Sequence, residues 1–312
     1  VLDDPQNRFE FVSSRRTGFS ARNTAVALVV AALLGFVPSS IGAHSARPAV
    51  LGPGSQPKDQ QSAQQLVREV VWNEIQAQLH DESYWRYREV QVDHGTSKLL
   101  DVYQTKYGEI HRVLEIDGKP LTADQTRAEE ARIQKLVSHP GTIRSVEKER
   151  QQDAEEERKL MRMLPSAFIY HEDSRNGSNI KLTFVPNPNF HATDHESEVF
   201  HHMEGSVVVD GRAKRLHEIS GKLTSPVKFG YGLLGHLDQG GTFFVEQRGV
   251  GGGYWELVQI HVDMSGKALF FKTIAVHENE TYTEFQEVSG DATLTEAAKQ
   301  LDSDAMVSRH GT

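Results

Sequence analysis

The sequence predicts an α+β fold: one large antiparallel sheet of about ten strands, with a covering N-terminal helix and a charged helical insert. Three observations predict it. Residues 83–288 hold repeated runs of alternating apolar and polar side chains, enriched in valine, tyrosine, phenylalanine and tryptophan. The breaks between most runs are short and carry glycine, which suits hairpins and leaves no room for the crossovers that parallel strands need. Helical spacing dominates only two long stretches, residues 64–80 and 122–164.

The first element is a leader. Arg15, Arg16 and Arg22 precede the low-charge stretch AVALVVAALLGFV at residues 25–37, then Pro38 and the small-residue run Ile41-Gly42-Ala43-His44-Ser45. That order is the n-region, h-region and cleavage region of a secretory signal. The apolar stretch as a helix reaches about 20 Å, short of the roughly 30 Å hydrocarbon core, so a cleaved signal over residues 1–43 is expected rather than a spanning helix. Export implies a periplasmic protein that meets the membrane only through an uncleaved signal, and is soluble after cleavage. Residues 44–62, with Pro48, Pro53 and Pro57, read as a flexible leader.

In residues 64–80, Leu66, Val67, Val70, Val71, Trp72, Ile75 and Leu79 fall at near-helical spacing, giving an amphipathic helix that needs an apolar surface to cover. Three strands follow, SYWRYREVQVD, SKLLDVYQTKY and EIHRVLEID, separated at His94-Gly95 and Gly108. Residues 122–164 are dominated by Glu, Arg, Lys, Gln and Ala, and His139-Pro140-Gly141 breaks them into two helices. Mixed charge without a sustained heptad seam makes a solvated excursion the expectation for this insert.

Strands resume as AFIYHEDS and NIKLTFV around Asn176-Gly177, a strong hairpin signal. The meander continues as GSVVVD, RAKRLHEISGKL, TFFVEQR, YWELVQIHVDM and ALFFKTIAVHENETYTEFQEV, with turns expected at Asp210-Gly211, Gly251-Gly252-Gly253 and Ser265-Gly266. Residues 289–312 read as a short helix, LTEAAKQL, and a frayed tail. The folded unit is therefore residues 64–288, with the insert inside it.

Composition excludes several functions. The chain has 43 acidic and 34 basic residues, and losing residues 1–43 makes it more acidic still, which argues against a nucleic-acid partner. Having no cysteine, it has no disulfide, thiolate nucleophile, cysteine-ligated metal or cysteine-linked lipid anchor. Export without cysteine points to a bacterial envelope protein large enough to rely on its core.

The densest run of metal-ligand side chains is His191, Asp194, His195, Glu198, His201 and His202. Pro186 and Pro188 lie just upstream and no His-Glu-x-x-His motif occurs, so a polar loop is expected. His191, His195, His201 and His202 stay as weak metal candidates, a hydrolase built on them is the third-ranked function, and no cofactor is assigned. Gly249-x-Gly251-Gly252-Gly253 leads into a strand rather than a helix N-terminus, so it is a turn and not a phosphate cradle. Ser145-x-x-Lys148 has no companion motifs, and no carboxylate pair has visibly contrasting surroundings, so no catalytic residue is assigned. What remains is apolar. Trp85, Tyr87, Leu114, Ile116, Val207, Val209, Phe244, Trp255, Leu257 and Phe270 sit where alternation can place them on one sheet face. Fully covered by the first helix they are core; covered in part they line a pocket for a hydrophobic ligand.

The leader, the helix, a strand ending in Ile116-Asp117-Gly118-Lys119-Pro120-Leu121, the insert, the Gly205-Ser-Val-Val-Val-Asp210 strand, the Phe229-Gly230-Tyr231-Gly232-Leu233-Leu234 connection and the closing Tyr282-Thr-Glu-Phe285 strand occur in a familiar order. Over residues 64–288 this resembles uncharacterised bacterial envelope proteins similar to the outer-membrane lipoprotein-sorting (LolA/LolB-like) superfamily. The resemblance implies an unclosed half-barrel wrapped around helices, with an apolar concavity for acyl chains. It implies a non-enzymatic binding protein for a lipid, an acyl chain, a lipoprotein or a hydrophobic partner segment. The helical insert is absent from the small carriers of that group. It suggests the second-ranked function, an envelope-stress sensor or interaction module that meets an envelope protein through residues 122–164.

Overall fold

The computed structural model describes residues 58–310 except 94, 195–196, 230–234 and 269–271; the expected signal and most of the leader lie outside the described residues. The helices are α1 (Lys58–His80), α2 (Ala123–Ser138), α3 (Gly141–Ala167) and α4 (Leu294–His310). The strands are β1 (Trp85–Asp93), β2 (Thr96–Thr105), β3 (Gly108–Ile116), β4 (Lys119–Pro120), β5 (Phe168–Asn176), β6 (Asn179–Pro186), β7 (Met203–Asp210), β8 (Arg215–Leu223), β9 (Val227–Phe229), β10 (Gly235–Leu237), β11 (Thr242–Gly251), β12 (Tyr254–Ala268) and β13 (Lys272–Glu287). They form one antiparallel sheet in the order β4-β3-β2-β1-β13-β12-β11-β8-β7-β6-β5, with β9 and β10 attached beside β12. Ten of these strands are long, and β4, β9 and β10 have only two or three residues each.

The fold is α+β with one large antiparallel sheet, as the alternating runs predict, and the sheet is unclosed, as the resemblance implies. Turn chemistry sets its hairpins. Asp117 and Gly118 both take positive φ between β3 and β4, the requirement of a type I′ turn. Between β5 and β6 the two central residues are Gly177 and Ser178, and only Gly177 has positive φ, which fits type II′. Gly251, Gly252 and Gly253 all have positive φ in the β11–β12 turn. Ser265-Gly266 is not a turn: β12 continues through it to Ala268, and Leu237 of β10 pairs with Gly266. A Cβ on Gly266 would lie 2.2 Å from the His236 carbonyl oxygen, so this glycine permits close approach of backbones.

The insert is not a solvated excursion. α2 and α4 cover one face of β2 and β3, where Ile133, Ala297, Ala298 and Leu301 bury Tyr103 and Ile110 in a small second core. Thr122 caps α2 reciprocally with Gln125, and after His139-Pro140 the chain enters α3, whose Leu160, Met161 and Leu164 belong to the main core. α3 starts beside β3, with Ile143 packed against Gly108, and runs directly into β5. Its 27 residues extend about 40 Å, joining the two ends of the sheet order across the opening.

α1 lies in the concavity against β5, β8 and α3. Ala63, Leu66, Val67, Val70, Val71 and Ile75 repeat at helical spacing and are all buried in the main core. At about 1.5–3 kcal/mol for each fully buried large side chain, the five larger ones contribute on the order of 10 kcal/mol. The terminal helix α4 runs on beyond the expected LTEAAKQL segment, whose Ala297, Ala298 and Leu301 dock it on β2 and β3.

Candidate functional site

The concave face has an apolar half and a polar half. In the apolar half, Val67, Val70, Val71 and Glu74 of α1 and Met161 and Leu164 of α3 meet Tyr170, Val207, Val209, Leu216 and Ile219 of the sheet. The space left between them is about 30 Å³, room for a water molecule but not for an acyl chain. Glu74 fastens the helix: Arg215 Nε and Nη2 donate to its two oxygens at 2.8 and 3.1 Å, and the Leu216 amide donates at 2.7 Å. Asn73 Nδ2 adds a bond to the Lys214 carbonyl at 3.1 Å.

The apolar residues picked out by alternation divide. Trp85, Tyr87, Val207, Val209 and Leu257 are buried in the main core. Trp255 is half-buried with the Arg215 guanidinium 5.8 Å from its ring. Ile116 is at the end of β3 opposite Lys98, and Leu114 is the unpaired residue of a bulge there. Phe244 alternates with buried Phe243 and Val245, so its side chain is on the convex face. Phe270 lies outside the described residues. A broad, shallow hollow of about 550 Å³ also opens on the sheet between β6 and β11, where Gly205 and Gly221 carry no side chains.

The polar half escaped sequence reasoning. On β1 the face that carries Trp85 and Tyr87 continues with Glu89 and Gln91, and on β13 it carries Glu278, Glu280 and Tyr282. Glu89 pairs with Tyr282 and Gln91 with Glu280, so the two glutamates are diagonal neighbours on adjacent strands. Tyr282 Oη donates to Glu280, Gln91 Nε2 donates to Glu89 at 2.5 Å, and Tyr87 Oη donates to Glu109 of β3 at 3.1 Å. Tyr87 stacks on Phe285 and meets Tyr282 edge-on, ring centroids 5.4 and 5.8 Å apart.

Burial pushes the Glu89 carboxyl well above the usual range, and repulsion from Glu280 and Glu109 adds to it. Burial likewise raises Glu280, and raises Glu109 to about 7 despite the opposing pull of Arg150. Glu157 of α3 is also raised to about 7 by burial and by Asp153. It is 2% exposed, and neither carboxyl oxygen meets a hydrogen-bond donor among the described residues. Glu109 and Glu157 therefore hold protons up to near neutrality, and Tyr87 and Tyr282 stay un-ionised for the same reason of burial. The signal was present: Trp85-x-Tyr87-x-Glu89 is one face of one strand, and Ala154, Glu157, Leu160, Met161 and Leu164 form one stripe of α3.

The histidine run is not gathered into a site. His191 is exposed, His201 packs beside Phe190 at 5.5 Å, His202 Nδ1 is 2.7 Å from Ser225 Oγ, and His195 lies outside the described residues. Asp194 instead caps the turn Ser197–His202 and pairs with Lys159 at 2.9 Å. Among the described residues no three His, Asp or Glu side chains come together to hold a metal ion. No family model, curated protein or solved structure matches the chain.

Proposed function

We propose that the chain is a non-enzymatic binding protein of the bacterial envelope, whose half-barrel holds an apolar chain or segment, with α1 as the resident occupant. The carrying observation is the fit of α1 in the concavity, an amphipathic helix laid on an apolar sheet face with about 30 Å³ left over. The sheet is unclosed, so its curvature can widen without breaking a barrel. α1 is joined to β1 by the four residues 81–84, with Ser83 bonded to Asp81 and to the Trp85 indole, so that segment stays anchored on the sheet and any release of the helix starts from its other end. Its burial is worth on the order of 10 kcal/mol, and an acyl chain of about 16 carbons recovers a similar amount at about 0.8 kcal/mol per methylene. An acyl chain, a lipoprotein's acyl group or an apolar helix is therefore of the right size to replace it. The order Arg15 to Ser45 supports export, and among the described residues no helix is long and apolar enough to cross a membrane.

The reading is tested on the full chain incubated with phosphatidylethanolamine–phosphatidylglycerol vesicles or a diacylated peptide. Native mass spectrometry is expected to show one bound acyl species, and amide exchange in residues 58–80 is expected to rise at least tenfold when it binds. Absence of a bound species, with α1 equally protected throughout, rejects the proposal.

A further inference from the structure

The polar half of the concave face has a role that the occupant of the apolar half does not explain. α3 closes the opening between the β3 and β5 ends of the sheet, and its buried side carries charge where a permanent closure would be apolar. Arg150, held by Glu147 through Nε at 2.9 Å, lies within the electrostatic reach of both Glu109 and Glu157. The titratable and charged groups of this half are Tyr87 and Glu89 of β1, Glu109 and His111 of β3, Glu256 of β12, Glu278, Glu280 and Tyr282 of β13, and Glu147, Arg150, Asp153, Glu157 and Arg158 of α3, with His111 kept neutral by burial, which lowers it to about 4. Only Arg150 and Arg158 among them are cationic, and Arg158 is engaged by Glu155 at 2.7 Å and by Gln78 of α1 at 3.3 Å.

We propose that α3 is a pH-sensitive latch, docked on the sheet while the carboxyls of Glu89, Glu109, Glu157 and Glu280 are neutral and released as they ionise. The geometry requires this direction. Glu89 and Glu280 are diagonal neighbours, both desolvated, and Glu89 is repelled by Glu109 and Glu278 as well as by Glu280, so charging them together is unfavourable. Glu157 has no donor to stabilise its charge while α3 is docked, and gains water when α3 lifts. The sign follows from linkage. A carboxyl raised in the docked state binds more protons there than in the released state, so docking is fully favoured below about pH 4.5 and weakens as pH rises through the docked value of about 7. With tenfold per pH unit, one such group shifts the docking equilibrium on the order of 100-fold over that range.

Amide exchange on the full chain at pH 5, 6, 7 and 8, corrected for intrinsic rates, tests the latch. Protection in α3 is expected to fall on the order of 100-fold from pH 5 to 8, while Ala297 to Leu301 of α4, on the other face, keep theirs. Glu109→Gln with Glu157→Gln mimics the neutral carboxyls and is expected to flatten the fall at least tenfold; Glu89→Gln with Glu280→Gln is the independent second variant. PH-independent protection of α3, an equal fall in α4, or a wild-type fall in both folded variants overturns the proposal. If one variant does not fold, the other variant and the α3-against-α4 contrast decide.

Discussion

Removing the Glu74 carboxylate should undock α1, and the cost follows from what it leaves behind. The side chain is 3% exposed and receives three donors, two from Arg215 and one from the Leu216 amide. In Glu74→Ala the Arg215 guanidinium, itself 15% exposed, loses its counter-charge and the buried Leu216 N–H loses its acceptor. Breaking one partner of a buried pair costs about 3–5 kcal/mol, much of it the desolvation of the abandoned charge. Glu74→Gln keeps an acceptor for the amide and should cost about half as much. Urea unfolding of the two variants, of Arg215→Met and of the doubles gives a cycle with a coupling of at least about 1.5 kcal/mol. The double Glu74→Leu, Arg215→Met should recover most of the single loss, because neither charge is then buried alone. Additive losses in the cycle, or a Glu74→Ala loss below about 1 kcal/mol at unchanged m-value, would refute the fastening role.

Two further outcomes follow from packing. Gly266→Ala forces a methyl to within 2.2 Å of the His236 carbonyl oxygen, so thermal unfolding should show a loss of about 1–3 kcal/mol or more, with exchange rising first in β10. Trp85→Ala, at a buried indole bonded to Ser83 Oγ at 2.8 Å, should cost about 3–5 kcal/mol, whereas Trp72→Ala, 63% exposed on α1, should stay within about 0.5 kcal/mol by urea unfolding.

The sheet was legible because its information is local. Alternation in SYWRYREVQVD and the glycines of the turns each act within a few residues, and they locate β1 and most of the hairpins without reference to the rest of the chain. Ser265-Gly266 misled for the opposite reason: the glycine serves a neighbour, β10, about thirty residues away, and nothing near it in sequence says so. The same separation hid the polar half of the site. Glu89 and Glu157 look like solvated charges until α3 is known to cross the opening, and that depends on β3 and β5 being the two ends of one sheet. Phe244 was misplaced by one register step, since two adjacent phenylalanines give alternation no means of choosing between them.

The two helices in the concavity are not independent, and this bears on how the latch and the occupant relate. Gln64 of α1 donates to the Pro165 and Phe168 carbonyls at the end of α3, and Arg158 of α3 reaches Gln78 of α1. Lifting α3 therefore strips α1 of polar contacts near both its ends and leaves it held chiefly by Glu74, Asn73 and its apolar stripe. Global stability is a poor measure of that coupling, because His111 titrates against the carboxylates. Burial, helped by Arg132, lowers His111 to about 4, so it destabilises the fold as pH falls below about 6.5, while Glu109 and Glu157 destabilise it as pH rises above about 4.5. Between those values the effects oppose each other, and only above about 6.5 do the carboxylates act without that offset. His111 lies on the same face of β3 as Glu109, opposite Val102, and is also within electrostatic reach of Arg132 and Glu129 of α2, so its titration bears on both sides of the insert. Measuring the protection of α3 and α1 above about pH 6.5 follows the carboxylates after the histidine has ceased to titrate, which no single unfolding curve over the whole range does.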